Sequence, residues 1–82
     1  MFTAQQIATS IAENIESHMA AKRIKRKQLI QSLNLGYQAF ERRMNGEVPF
    51  SVIEIWTIAE VLRTTPDDLL PASHSDNLAN AA

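Results

Sequence analysis

The sequence predicts an all-α fold of five helices, and three observations carry that prediction. Apolar residues recur at helical spacing in successive stretches, two Thr/Ser-x-x-Gln/Glu patterns mark helix starts, and no run alternates with strand period for long enough to build a sheet. With 82 residues and 45% hydrophobic content, the chain suits one small domain, near the size at which a single core suffices without staples.

The first helix starts at Thr3. Thr3 and Gln6 have capping-box spacing, and Phe2 with Ile7 fits the hydrophobic staple that flanks such a box. Ile7, Ile11, Ile15 and Met19 then repeat every four residues, with Ala8 and Ala12 widening the stripe, to an end near Ala21. Lys22 to Lys27 is a basic junction in which Ile24 points inward as an anchor. A second helix, Arg26 to Leu33, carries Leu29, Ile30 and Leu33 at helical spacing; its usual cap is missing, because Lys25 stands where Ser, Thr or Asp is preferred.

Asn34-Leu35-Gly36 interrupts the pattern with turn-forming residues around one apolar plug. Phe40 and Met44 resume it in a third helix, Tyr37 to Asn45, which Gly46 stops by taking the left-handed conformation. Glu47-Val48-Pro49 is a loop. Ser51 and Glu54 form a second capping box, with Phe50 and Ile55 as its staple, and open a fourth helix from Val52 to about Arg63 with Ile55, Ile58, Ala59 and Leu62 on its core face. Thr65-Pro66-Asp67-Asp68 starts a brief fifth helix, proline at its first position and acids at its positive end. After Pro71 only Leu78 is large and apolar, so residues 72–82 are read as a flexible, disordered C-terminal tail and residues 1–71 as the folded domain.

Composition removes several function classes. There is no cysteine, and His18 and His74 lie too far apart in sequence for a local metal pair, so both read as surface residues and neither metal nor cofactor is expected. No nucleophile, base and orienter constellation or glycine-rich phosphate loop is present, which argues against an enzyme. Without a basic leader followed by an apolar run, or a window of about 18 apolar residues, a signal peptide and a membrane span are unsupported and a cytoplasmic protein is expected.

Net charge is only −1, yet it is segregated. Residues 22–43 hold Lys22, Arg23, Lys25, Arg26, Lys27, Arg42 and Arg43 against Glu41 alone, a local +6, while the remainder is −7. Such a split can present a basic face to phosphate with an acidic face turned away.

The basic segment contains the arrangement that carries most information. Arg26 to Gly46 reads as two short helices joined by a tight turn, a helix-turn-helix, and in such a motif the N-terminal end of the second helix enters the DNA major groove. Its outward positions are Tyr37, Gln38, Glu41 and Arg42. Gln can pair bidentately with adenine and Arg with guanine, each worth about 1–3 kcal/mol of discrimination. Glu41 either accepts from a cytosine amine or orients Arg42, and the orienting role is favoured because a carboxylate near phosphates needs a partner. Tyr37 either reaches DNA or packs on the turn.

Lys25, Arg26, Lys27 and Arg43 are the phosphate-contact candidates, with Asn45 and the Gly46 amide as uncharged partners and Ser51 offering a hydroxyl and a helix N-terminus. Each also has a plainer role: a basic run is commonly a solvated surface, Arg43 can cover apolar surface with its stem, and Ser51 is first a helix cap. The fourth helix, VIEIWTIAEVL, is apolar on more than one face. Trp56 there either meets a second copy or packs beneath the first helix.

From Ile7 to Leu70 the sequence resembles the Cro/CI-type helix-turn-helix family of phage and bacterial repressors, also called the xenobiotic-response-element family. The resemblance rests on the helix-turn-helix spacing, on Glu41-Arg42-Arg43-Met44-Asn45-Gly46 at the close of the recognition helix, and on Ile58-Ala59-Glu60-Val61-Leu62 followed by Thr65-Pro66-Asp67-Asp68-Leu69-Leu70. There are two departures from the pattern: Lys25-Arg26 stands where the family commonly has Ser-Gln, and Asn34 where it prefers Gly.

The resemblance implies a compact, lambda-repressor-like domain with Tyr37, Gln38 and Arg42 at base-reading positions. It implies a homodimer on a palindromic operator in double-stranded DNA, with Leu69, Leu70 and the fifth helix where related domains pair, and Trp56 as a further interface candidate. The function implied is that of a small phage or prophage repressor of the Cro or immunity type, excluding polymerase from an operator and needing no small-molecule ligand. So short a chain suits a stand-alone binder better than a two-domain repressor. Two other readings stay open: an antitoxin-type autorepressor whose tail folds on a toxin, and a protein-interaction module that kept the fold without DNA binding, which the net acidic charge favours.

Overall fold

The computed structural model describes residues 3–71; the tail expected over 72–82 and the staple residue Phe2 lie outside the described residues. Five helices follow in order: α1 (Ala4–Lys22), α2 (Arg26–Leu33), α3 (Tyr37–Met44), α4 (Val52–Leu62) and α5 (Pro66–Leu69). No strand occurs among the described residues.

Both predicted capping boxes form. Thr3 Oγ1 accepts from the Gln6 amide at 3.1 Å while Gln6 Oε1 accepts from the Thr3 amide at 2.9 Å, and Ser51 with Glu54 repeats the exchange at 3.1 and 2.8 Å. At α2 the Lys25 ammonium has no lone pair to offer, but Gln28 Oε1 accepts from the Lys25 amide at 2.9 Å. That half of a box was hidden in the sequence because its other half is missing.

The C-terminal ends of α1, α2 and α4 share one geometry. Arg23, Asn34 and Arg63 take left-handed backbone at φ 57°, 56° and 56°. The amide of each following residue then bonds a carbonyl one turn back: Ile24 to Met19, Leu35 to Ile30 and Thr64 to Ala59. Gly46, at φ 85°, ends α3 in the same manner, with the Glu47 amide on the Arg42 carbonyl. A left-handed arginine costs about 1–2 kcal/mol. At Arg23 the closure turns Ile24 onto the core, where its partial burial offsets that cost, and at Asn34 it does the same with Leu35.

The core gathers Ile11, Ile15 and Met19 of α1, Leu29 of α2, Phe40 of α3, Ile55, Ile58 and Leu62 of α4, Leu69 of α5 and the loop residue Phe50. Phe40 and Phe50 meet edge to face, with ring centroids 6.3 Å apart. Ile7 departs from expectation, being 38% exposed. Residues four apart drift about 40° around a helix at each step. The buried face of α1 is accordingly Ala8, Ile11, Ala12, Ile15 and Met19, a mixture of three- and four-residue steps that leaves Ile7 aside.

Two side chains of α1 cap other elements. Lys22 Nζ donates to the Leu62 carbonyl and, at 3.0 Å, to the Arg63 carbonyl, placing a cation at the negative end of α4. Asn14 Nδ2 donates to the carbonyls of Leu69 and Leu70, both at 3.0 Å, and holds the chain end of α5 against α1.

Candidate nucleic-acid interface

α2, the Asn34–Gly36 turn and α3 form the helix-turn-helix. Asn34 carries the left-handed bend, while Gly36 opens α3 at φ −73°, an ordinary conformation for any residue. Phe40 is buried and Met44 packs against the core, which turns Tyr37, Gln38, Arg42 and Asn45 to solvent. Tyr37 is 64% exposed, so it does not pack on the turn.

Glu41 shares the outward stripe, one turn beyond Tyr37 and Gln38, but its partner differs from the expected Arg42. Arg26 Nη1 bonds Glu41 Oε2 at 2.5 Å, and Arg26 Nη2 bonds Glu16 Oε2 at 3.0 Å. The reason is position: Arg26 opens α2 beside α3, whereas Arg42 follows Glu41 directly and leaves the helix some 100° further round. One guanidinium thus joins α1, α2 and α3.

Other expected phosphate contacts are also engaged inside the fold. Arg43 Nε bonds Glu54 Oε1 at 3.0 Å and Arg43 Nη1 bonds the Ala39 carbonyl at 2.9 Å, with both paired side chains largely buried. Arg43 is therefore a strut between α3 and α4 rather than an outstretched cation. Gly46 is buried and its amide donates to the Arg43 carbonyl at 3.3 Å, so the expected phosphate contact through that amide gives way to helix closure. Asn45 Oδ1 accepts from the Glu47 amide at 3.2 Å, leaving its amide nitrogen to donate outward. Ser51 is exposed; its oxygen caps Glu54 and its hydroxyl hydrogen is left to donate.

Exposed cations without an ion pair among the described residues are Lys22, Arg23, Lys25, Lys27 and Arg42 in this region, of which Lys22 is already engaged by the α4 carbonyls. Arg23 was not singled out in the sequence, although it lies in the same basic run. The sequence segregation of charge is partly undone by folding, because Glu16 and Glu54 come from outside the basic segment to pair within it.

A second surface feature lies on α4. Val52, Ile53 and Trp56 are 71%, 78% and 58% exposed, so Trp56 does not pack beneath α1. A shallow groove continues from Val52 and Trp56 to Pro66, Asp67 and Leu70. Leu69, by contrast, is fully buried within the protomer, which corrects its expected place in an interface: α5 is too short to have two apolar faces, and the core takes this one. Among the described residues no cluster of His, Asp or Glu is placed to hold a metal ion, and no helix is long and apolar enough to cross a membrane.

A family model described as the BetR domain matches residues 3–81, nearly the whole chain. The chain belongs to the BetR domain family. No curated protein and no solved structure gives a significant match. The family consists of small helical domains of helix-turn-helix type in bacterial regulators, and the five-helix architecture agrees with it. The match to the BetR domain runs past Pro71 to residue 81.

Proposed function

We propose that this BetR domain is a sequence-specific regulator of transcription that binds double-stranded DNA in the bacterial cytoplasm, laying the start of α3 in the major groove. Its best support is the row of exposed Tyr37, Gln38 and Arg42 along α3, beside the unpaired Lys25 and Lys27 of the α2 entrance. Gln38 and Arg42 have the donor and acceptor sets that match adenine and guanine edges, and the lysines meet phosphates without sequence preference. Within that reading it acts as a small repressor of the Cro or immunity type, a binding protein rather than an enzyme, occupying an operator.

One such domain covers one half-site. A two-fold pair reading successive major grooves is therefore part of the proposal, with Trp56 and Leu70 on the exposed α4–α5 face as contacts to the second copy. The test is selection of bound duplexes from a random DNA pool at physiological salt, where non-specific affinity is about 10⁻⁴ to 10⁻⁶ M. An enriched inverted repeat with half-sites about one helical turn apart supports a dimeric operator binder. No enrichment overturns the proposal and turns attention to the α4 face as the seat of a protein partner, such as a toxin.

A further inference from the structure

Arg26 sits at the first position of α2, and its cationic head lies between two carboxylates from different helices, Glu16 of α1 and Glu41 of α3. Glu41 belongs to the stripe that the proposed reading directs at DNA, so its charge is the one acidic group among the α3 positions that face outward. DNA presents about one negative charge per 1.7 Å of axis. An uncompensated carboxylate on a surface pressed against that charge repels it, and like charges brought together across an interface cost several kcal/mol. Yet Arg26 and Glu41 retain 38% and 35% of their side-chain exposure, so the pair lies at the surface and is not a core strut.

We propose that Arg26 is a positioning residue for DNA binding: it masks Glu41 and turns its carboxylate towards α2, and it is not a phosphate ligand. The inference rests on the proposed DNA-binding function. Its consequence is that the effect of Arg26 on DNA affinity depends on whether Glu41 is present. A phosphate ligand acts independently of Glu41 and also contributes about 0.9 to the slope of log affinity against log salt. A mask contributes to affinity only while Glu41 carries its charge.

The experiment is a double-mutant cycle on the full chain with R26Q, E41Q and the double variant, titrated against a mixed-sequence duplex of about three helical turns over a range of salt. In the mask arrangement R26Q weakens binding about tenfold, E41Q binds within about threefold of the wild type, and R26Q made in the E41Q background costs less than about threefold. The R26Q loss shrinks as salt rises, because the repulsion from an exposed carboxylate is screened, so the dependence on Glu41 and not the slope separates a mask from a phosphate ligand.

An R26Q loss of equal size in both backgrounds overturns the mask and makes Arg26 a phosphate ligand. If R26Q alone fails to fold, the E41Q single variant decides: binding within about threefold of the wild type supports the mask, whereas weaker binding, which shows that Glu41 itself contacts DNA, or a gain of about tenfold, which shows that a freed Arg26 takes a phosphate, sinks it. A wild-type chain that binds no duplex at all removes the DNA-binding function, and the mask with it; binding by the wild type separates the two failures.

Discussion

The Glu54 carboxylate holds Arg43 with the same oxygen that closes the α4 capping box. Oε1 accepts from the Ser51 amide at 2.8 Å and from Arg43 Nε at 3.0 Å, so the start of α4 and the last turn of α3 share one anchor. This arrangement sets the loop between the proposed reading helix and its scaffold. E54A should cost about 2–3 kcal/mol, of which about 1 is the lost cap and the rest the largely buried guanidinium left without its carboxylate. E54Q keeps an acceptor for the Ser51 amide and should cost about half as much. Urea titration with unchanged m-values measures both, and equal stability of E54Q and wild type would show the ion pair contributes nothing.

Two glycines in this region should answer differently to alanine. Gly46 has φ +85°, and a Cβ there stands 2.8 Å from Thr9 Oγ1. G46A should therefore lose about 1–3 kcal/mol. Gly36 has φ −73° and nothing within 4 Å of its Cβ position, so G36A should be neutral or gain about 0.5 kcal/mol. Thermal unfolding of both variants tests the contrast, and equal effects would refute it.

The fold was largely legible because helix caps, stripe spacing and turn residues are local signals: Thr3, Ser51, Asn34 and Gly46 each act where the sequence placed them. Arg23 and Arg63 as left-handed closures were not legible, since arginine has no preference for that conformation: Ile24 packs on the core after Arg23, and at Arg63 the Lys22 ammonium, distant in sequence, meets the Leu62 and Arg63 carbonyls. The proposed site was legible in outline and misleading in its charges. Spacing places Tyr37, Gln38, Glu41 and Arg42 outward, but whether a basic residue is free depends on acids distant in sequence. Glu16 reaches Arg26 from α1 and Glu54 reaches Arg43 from α4, and no local pattern announces either pair.

Asp68 gives the clearest dependence on pH. The Thr64 hydroxyl donates to its carboxylate, and this bond above all, with help from the Thr65 backbone and hydroxyl and from nearby His18, holds its pKa below the ordinary 3.8. A depressed carboxylate contributes stability that is present above its unfolded pKa and disappears as pH falls through its folded pKa. D68N should accordingly be less stable than the wild type at neutral pH, with the difference closing below about pH 4. Melting curves across that range measure it, and a gap that persists at pH 2 would assign the loss to something other than the charge.

Trp56 is 58% exposed, and Val52 and Ile53 beside it are more exposed still. Removing a side chain that the protomer does not bury should leave monomer stability within about 0.5 kcal/mol. W56S should, under the dimer reading, lower the self-association constant and the cooperativity on an inverted repeat while leaving single half-site affinity intact. Sedimentation of the free protein and titration of one- and two-site duplexes separate these quantities. Unchanged association would place the second copy elsewhere.

The exposed polar residues of α3 and α2 should separate by the kind of effect each has on binding. Gln38 and Arg42 can each make paired bonds to one base edge, so Q38A and R42A should weaken the preferred duplex by about 1–3 kcal/mol and relax preference at one position. Lys27, exposed at the second residue of α2, lies on the helix that the proposed reading sets across the backbone, so K27A should weaken all duplexes alike and lower the salt slope by about one. Affinity for the selected site, its single-base variants and a scrambled duplex, each at several salt concentrations, distinguishes the two patterns. Equal, sequence-independent losses from all three variants would remove the base-reading role from α3, because a side chain that touches only phosphate carries no information about which base pair lies beneath it.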